Sequence, residues 1–422
     1  MSLEQYQGDM NMCCRCSACK WIPMQRISGH DYANVCPSIS RFNFHSYSGG
    51  GRMNIGAAAL KNGFNYTPRL LDIVYNCQMC GACGVSCNYA MDMNVMEPIY
   101  EFRMQCVEDG KTHPALDQAI AGLRKTDSVF PPSGKRGDWA QGLGLKDAAQ
   151  DKVDTLLYVG DITSYDPELQ KLARATARIL QKAGVNFGIA GDAEVSCGDR
   201  AYQMGYREDF LRLARKNMDY IRKHGIRTVI TADAESYHAY KVLYDKYQLR
   251  GELRVLHITE LLQQLLQAGK LKLKQAVNLA VTYHDPCHLG RLGEPWVHWQ
   301  GQKVPGDRFV FDPPRPYRRG TNGVYDAPRA VLDGLPGVQL TEMTRIKEYA
   351  WCCGSGGGVG RSNPEFAQWT AAERIEEAES TGTEAIVTTC PWCQKLFNKT
   401  IQASGSRMRV YDIVELVEQA LA

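Results

Sequence analysis

Three short stretches near the end of the chain decide its reading: HDPCHLGR (284–291), WCCGSGGG (351–358) and TTCPWC (388–393). They contribute five cysteines, Cys287, Cys352, Cys353, Cys390 and Cys393. A structural zinc ion closes its shell at four ligands, so five thiolates exceed what one zinc takes. Soft thiolates in that number suit a polynuclear iron–sulfur cluster. Gly354, Gly356 and Gly357 follow the vicinal pair. Without a Cβ, they let backbone amides approach a sulfur-rich anion, and they are the expected cofactor-contacting glycines. His284 and His288 flank Cys287 and are expected to hydrogen-bond to ligands or simply to pack, since the thiolates suffice. Trp351 and Trp392 are expected to shield the site from water.

Composition sets the surroundings. The chain has 422 residues, enough for two or three domains, with 49 basic and 46 acidic side chains and a net charge of +3. The charges are interleaved, with no basic stripe of the kind nucleic acid requires. The first residues, MSLEQYQGDMNM, contain no apolar signal core, and no stretch runs 18 apolar residues. Sixteen cysteines in such a chain point to a reducing compartment and to metal rather than disulfides. The expectation is a cytoplasmic protein without a membrane span.

The Cys…Cys-Cys-Gly…Cys-x-x-Cys arrangement resembles the cysteine-rich CCG domain of heterodisulfide reductases and of glycolate-oxidase-type iron–sulfur subunits. The resemblance implies that all five cysteines hold one non-cubane [4Fe-4S] cluster. One spacing departs from the family: 64 residues separate Cys287 from Cys352, about twice the usual number.

Two further cysteine runs lie before residue 123. The first is Cys13-x2-Cys16-x2-Cys19, followed by Cys36-Pro37; the second is Cys77-x2-Cys80-x2-Cys83-x3-Cys87. In ferredoxin-type sequences three closely spaced thiolates hold one cube, and a remote fourth reaches across to the other. That resemblance assigns Cys13, Cys16, Cys19 and Cys87 to one [4Fe-4S] cubane, and Cys77, Cys80, Cys83 and Cys36 to a second. Cys14 is an alternative first ligand, and Asn88 stands where the family has proline. Zinc would call for paired CxxC units farther apart than these four cysteines within 11 residues. Cys106 is expected to be an ordinary buried thiol. The segment between the runs reads helix, turn, helix, with Pro68 early in the second helix.

Residues 124–152, rich in Gly, Pro and charge, read as a linker over the surface. From 153 onward strand and helix patterns alternate, which predicts parallel sheets flanked by helices. The alternation occurs twice. VTYHDPC pairs with LLYVGD, WCCGSGGG with VSCGDRAYQMG, VTTCPWC with VITADAES, and VYDIVELV with VLHITELL. The first copy, 153–270, thus carries Asp161, Ser196, Cys197, Asp233 and Ser236 where the second, 271–422, carries its five cysteines. Segment 292–322 has no counterpart, and removing it leaves 33 residues between Cys287 and Cys352. Its Trp296, Trp299, Phe309, Phe311, Tyr317, Arg315, Arg318 and Arg319 fit a contact surface or a loop folded on its own domain. The fold class expected is therefore all-α plus α/β: a helical two-cluster ferredoxin domain (1–123), then two tandem CCG repeats, the first without its cluster cysteines.

Over its whole length the chain resembles the D-type subunit of heterodisulfide reductase. This implies an electron-transfer subunit of a multi-subunit oxidoreductase, passing electrons between two cubanes and the non-cubane cluster, with flavoprotein or ferredoxin-like partners. The alternative is a catalytic subunit that cleaves a disulfide at the non-cubane cluster.

Overall fold

The computed structural model describes residues 2–421 apart from 24, 25, 28, 30, 296, 298, 308, 309 and 315–319. The N-terminal part is helical, with helices Gly49–Asn62, Pro68–Tyr75, Ala82–Met91, Met96–Glu108 and Pro114–Thr126. Local chemistry fixes several starts. Pro68 and Pro114 occupy first helical positions, where a missing N–H costs nothing. The Thr67 hydroxyl accepts from the Leu70 amide, and the Ser48 hydroxyl accepts from the Gly51 amide at 3.0 Å. The helix begun by Ser48 opens on three glycines, which weaken a helix by about 1 kcal/mol each relative to alanine. Packing explains them: a Cβ on Gly49 would lie 2.7 Å from Cys83 Cβ, and one on Gly50 3.1 Å from Cys13 Sγ.

Beyond residue 145 the chain forms two parallel sheets. The first contains β1 (Lys146–Asp147), β2 (Thr155–Tyr158), β3 (Gly188–Ile189), β4 (Thr228–Thr231) and β5 (Arg254–His257), in the order β1-β3-β2-β4-β5. In the second half come β6 (Leu279–Tyr283), the small antiparallel hairpin β7 (Gln302–Lys303) with β8 (Phe311–Asp312), then β9 (Val338–Leu340), β10 (Ala385–Thr388) and β11 (Arg409–Asp412). The second sheet runs β9-β6-β10-β11. It repeats the order β3-β2-β4-β5 of the first, so the alternating pattern does reflect two α/β units of one plan.

Strand register carries the correspondence down to single residues. With Thr228 of β4 and Ala385 of β10 as equivalents, 157 residues apart, Thr155 becomes the counterpart of Val281, 126 residues on. The difference, 31, is the length of segment 292–322. On the same register Asp161 stands where Cys287 does, Asp233 where Cys390 does, and Ser236 where Cys393 does. His257 and Asp412 end the equivalent strands β5 and β11, and each closes a capping box with a glutamate, Glu260 and Glu415. The C-terminal strand ends of the two sheets face each other: His257 Nε2 lies 3.4 Å from Thr389 Oγ1, and Asp233 Oδ1 lies 3.9 Å from Cys390 Sγ.

Segment 124–152, expected to be a surface linker, is built into the first unit. It supplies edge strand β1, and Trp139 and Ala148 are buried. Its backbone finds partners that its composition does not reveal, because Arg174 donates to the carbonyls of Trp139 (2.6 Å) and Gln141 (3.0 Å). In the insertion, Trp299 N donates to Asp92 Oδ2 at 3.2 Å and Leu292 packs on Gly81, so its root rests on the helical part. Trp296, Phe309, Tyr317, Arg315, Arg318 and Arg319 lie outside the described residues.

All three parts close on one another. The fully buried Arg103 guanidinium donates to Cys77 O (2.8 Å) in the helical part, Gln203 O (2.9 Å) in the first repeat and Gly357 O (2.7 Å) in the second. A cation with several carbonyl partners in a dry interior fixes relative placement, since losing any partner leaves a buried polar group unsatisfied.

Candidate iron–sulfur sites

Every cysteine is a free thiol, although many crowd together. Cys13, Cys16, Cys19 and Cys87 line a single cavity together with Cys14, Gly50, Met53 and Met93. Asn54 Nδ2 donates to Cys13 Sγ at 3.4 Å, whereas Cys14 is exposed. Burial and then the charges of Cys19, Cys16 and Cys13 push the Cys87 thiol up. Cys36, Cys77, Cys80 and Cys83 form a second nest: Cys83 is raised well above the ordinary thiol range by burial, followed by Cys36 and Cys77. Cys36 itself is pushed up to about 12, burial again leading. Burial thus favours the neutral thiol at Cys19, Cys36, Cys83 and Cys87, and metal coordination would favour the thiolate there. Glycines keep room at both nests, Gly50 beside Cys13 and Cys19 and Gly49 beside Cys83.

The five C-terminal cysteines are brought together by the ends of β6 and β10 and by the loop before helix Val359–Ser362. Cys353 and Cys393 Sγ are 3.1 Å apart. Cys352 packs with Cys287 in one buried cluster, while Cys353, Cys390 and Cys393 share the main core. Hydrogen bonding from Cys352 draws both Cys287 and Cys353 well below the ordinary thiol range, with His288 adding to the first and Cys393 and His284 to the second. His288 Nδ1 lies 3.2 Å from Cys287 Sγ. His284 sits with Cys353 and Cys393, and Arg374 Nε donates to its Nδ1 at 3.2 Å. His288 thus hydrogen-bonds beside Cys287, whereas His284 Nε2 is buried beside Cys353 and Cys393 without a hydrogen-bond partner.

Sulfur contact continues out of this site. Cys80, of the second nest, packs with Cys352 in one small buried cluster that Cys287 also joins, so the two groups of thiols adjoin. Arg291, one turn beyond Cys287, donates to Cys80 O at 2.6 Å and to Ala350 O at 2.6 Å. Of the three glycines expected to face a sulfur anion, Gly354 donates its amide to Cys352 Sγ at 3.3 Å. Gly357 donates instead to Gln203 Oε1 at 2.6 Å, and Gly356 lies against Gln78 O. Those two let the loop approach the backbone of 77–78 closely enough to seal the junction. Trp351 is buried, its Nε1 donating to Thr370 O at 2.9 Å, with the Arg345 guanidinium 4.3 Å above its ring. Trp392 carries the Arg200 guanidinium at 3.4 Å.

The equivalent positions of the first repeat are occupied by self-satisfied polar groups. Asp161 pairs with Arg136 and accepts from Val129 N at 3.0 Å. Asp233 caps helix Ala234–His238, accepting from the Glu235 and Ser236 amides. Ser236 Oγ donates to Asp233 Oδ2 at 2.6 Å and lies 3.8 Å from the buried Cys197. Cys106 is fully buried and pushed up to about 12, chiefly by burial. Sequence reasoning missed Gly49, Gly50, Asn54 and Arg291. The triple glycine at 49–51 was the available signal; Asn54 belongs to no motif, and Arg291 closes the HDPCHLGR stretch without a role that its type alone reveals.

Thiol nests of ferredoxin spacing beside a CCG thiol site define an iron–sulfur oxidoreductase subunit. Comparison with known proteins agrees. Residues 9–91 match a 4Fe-4S dicluster domain, and residues 163–237 and 281–398 match a cysteine-rich CCG domain. The D-type subunit of dihydromethanophenazine:CoB–CoM heterodisulfide reductase from Methanosarcina mazei is 30% identical over 98% of this chain and 94% of its own length. The probable iron-sulfur-binding oxidoreductase FadF of Bacillus subtilis is 29% identical over 89% of this chain and 50% of its own. A crystal structure of a hypothetical protein from Helicobacter pylori shares the fold, with TM-score 0.55 and 11% identity over 88% of this chain and 67% of that one. The chain belongs to the family of heterodisulfide reductase D-type subunits. Among the described residues no helix is long and apolar enough to cross a membrane.

Proposed function

We propose that this chain is the electron-transfer subunit of a cytoplasmic multi-subunit oxidoreductase, working with flavoprotein or ferredoxin-like partners. Cys13, Cys16, Cys19 and Cys87 would hold one [4Fe-4S] cubane, and Cys36, Cys77, Cys80 and Cys83 another. Cys287, Cys352, Cys353, Cys390 and Cys393 would hold a non-cubane [4Fe-4S] cluster, with Gly354 donating to the sulfur of Cys352. Such clusters exchange single electrons. The chain's part is to hold the three thiol groups in sequence and keep water away from the inner two. The supporting observation is the packing of Cys80 with Cys352 in one buried cluster, which sets the second nest directly beside the C-terminal site. The proposed division is 1–123 for the two cubanes, 153–270 for the scaffold repeat and 271–422 for the CCG site, with 124–152 joining them.

Disulfide cleavage by this chain alone has less support. Facing CCG sites would need a second thiol set, and Asp161, Asp233 and Ser236 are committed to partners within the chain. The test is anaerobic reconstitution with iron and sulfide counting. About twelve irons per chain are expected, in two spectroscopic classes. Cys353→Ala should remove about four of them while leaving the cubane signals. About eight irons, with zinc at the five C-terminal cysteines, would overturn the assignment.

A further inference from the structure

Between the two repeats lies a constellation of metal-binding groups without sulfur. Asp199 begins helix Asp199–Met204, His238 ends helix Ala234–His238, and His288 comes from the second repeat. All three are buried, Asp199 completely and the histidines to within 3%. Asp199 Oδ1 lies 2.9 Å from His238 Nδ1, and Asp199 Oδ2 lies 3.6 Å from His288 Nε2. One ligand atom from each residue falls within 4.8 Å of the other two.

We propose that Asp199, His238 and His288 bind a single divalent transition ion, zinc or ferrous iron, separate from the thiolate sites. Two imidazoles and one carboxylate are a donor set suited to these ions, unlike the soft sulfur sets elsewhere in the chain. His288 Nε2 is buried without a hydrogen-bond partner and points into the group, which is the lone pair a metal would use. The outer contacts are those of a prepared ligand set. His288 Nδ1 is held by Cys287 Sγ at 3.2 Å, and Gln203 Nε2 donates to Asp199 Oδ2 at 2.8 Å. Access exists on one side, because His238 lines a cleft shared with Tyr100, Glu97 and Arg291. Three protein ligands leave a coordination position free toward that cleft. The ion would fasten two helices of the first repeat to the loop carrying Cys287. This inference does not depend on how many iron–sulfur clusters the chain holds.

The experiment uses the full chain, purified anaerobically without chelators and then incubated with zinc chloride and desalted. Zinc, iron and acid-labile sulfide are counted, and zinc-edge X-ray absorption reads the first coordination shell. One metal equivalent without matching sulfide is expected, surrounded by nitrogen and oxygen. His238→Ala and Asp199→Asn should each lose that equivalent and keep the sulfide-matched iron. Absence of the extra metal from the wild-type chain after zinc incubation, or a first shell of sulfur, overturns the proposal. The absorption measurement on the wild-type chain decides even where a variant does not fold.

Discussion

The Arg291 guanidinium donates to the carbonyl of Cys80 across 2.6 Å, binding the loop of one thiol group to the loop of the next. The same guanidinium reaches Ala350 O and Glu348 O just before Cys352, so one side chain holds both sides of the junction. Replacing Arg291 by Met leaves those buried carbonyls unsatisfied. A loss of about 3 kcal/mol is expected in anaerobic guanidinium unfolding of the reconstituted protein. An unchanged midpoint would show that other contacts hold the junction.

Gly49 and Gly50 are neighbours that serve different nests. A Cβ on Gly50 would press on Cys13 Sγ at 3.1 Å and Cys19 Sγ at 3.6 Å, whereas one on Gly49 would press on Cys83. Gly50→Ala should therefore weaken one cubane signal in electron paramagnetic resonance and Gly49→Ala the other. Identical spectra for the two variants would contradict this separation.

Glu377 is wholly buried between two arginines, 2.8 Å from Arg345 Nε and 2.6 Å from Arg374 Nη1. Arg374 in turn touches His284, and Arg345 donates to Asn34 O at 3.1 Å. Neutralising the carboxylate strands two buried cations, so Glu377→Gln should cost about 3 kcal/mol or more. Thermal unfolding followed by circular dichroism measures it, and a change below about 1 kcal/mol would mean that water reaches the pair.

Cys197 is buried with Ser236 Oγ as its neighbour, and the carboxylates near it are already engaged. Cys197→Ala should leave iron and sulfide content unaltered. Loss of about four irons per chain would place a cluster in the first repeat after all.

The insertion exposes Val297 and Val310 while its root is anchored at Asp92 and Gly81. Removing residues 300–319 should preserve iron content and weaken co-purification with partner subunits from the native source. Undiminished recovery of the partners would assign the segment to this chain's own packing.

The duplicated plan was legible because parallel strands and capping residues leave local traces: VITADAES and VTTCPWC share a strand and a turn despite their different chemistry. The helical and α/β classes were legible for the same reason. The role of segment 124–152 was not, because β1 is only two residues long and the carbonyls of Trp139 and Gln141 are held by Arg174, which lies outside the segment. Likewise no spacing rule brings Cys80 to Cys352, which are far apart in sequence and pack together only when the domains close. The grouping of Asp199 and His238 was not legible either: Asp199 follows Cys197 in VSCGDRAYQMG and His238 follows VITADAES, and they meet His288 only through the facing of the two repeats.

The seal formed by Gly356, Gly357 and the backbone of residues 77–78 imposes an order on the protein's biogenesis. Once Arg103 has gathered all three parts, Cys80 is 8% exposed and Cys352 only 1%. Anything as bulky as a preformed cluster can be delivered to these thiols only while the C-terminal repeat still stands off from the helical part. If Cys80 and Cys352 ligate clusters as proposed, maturation must precede domain closure.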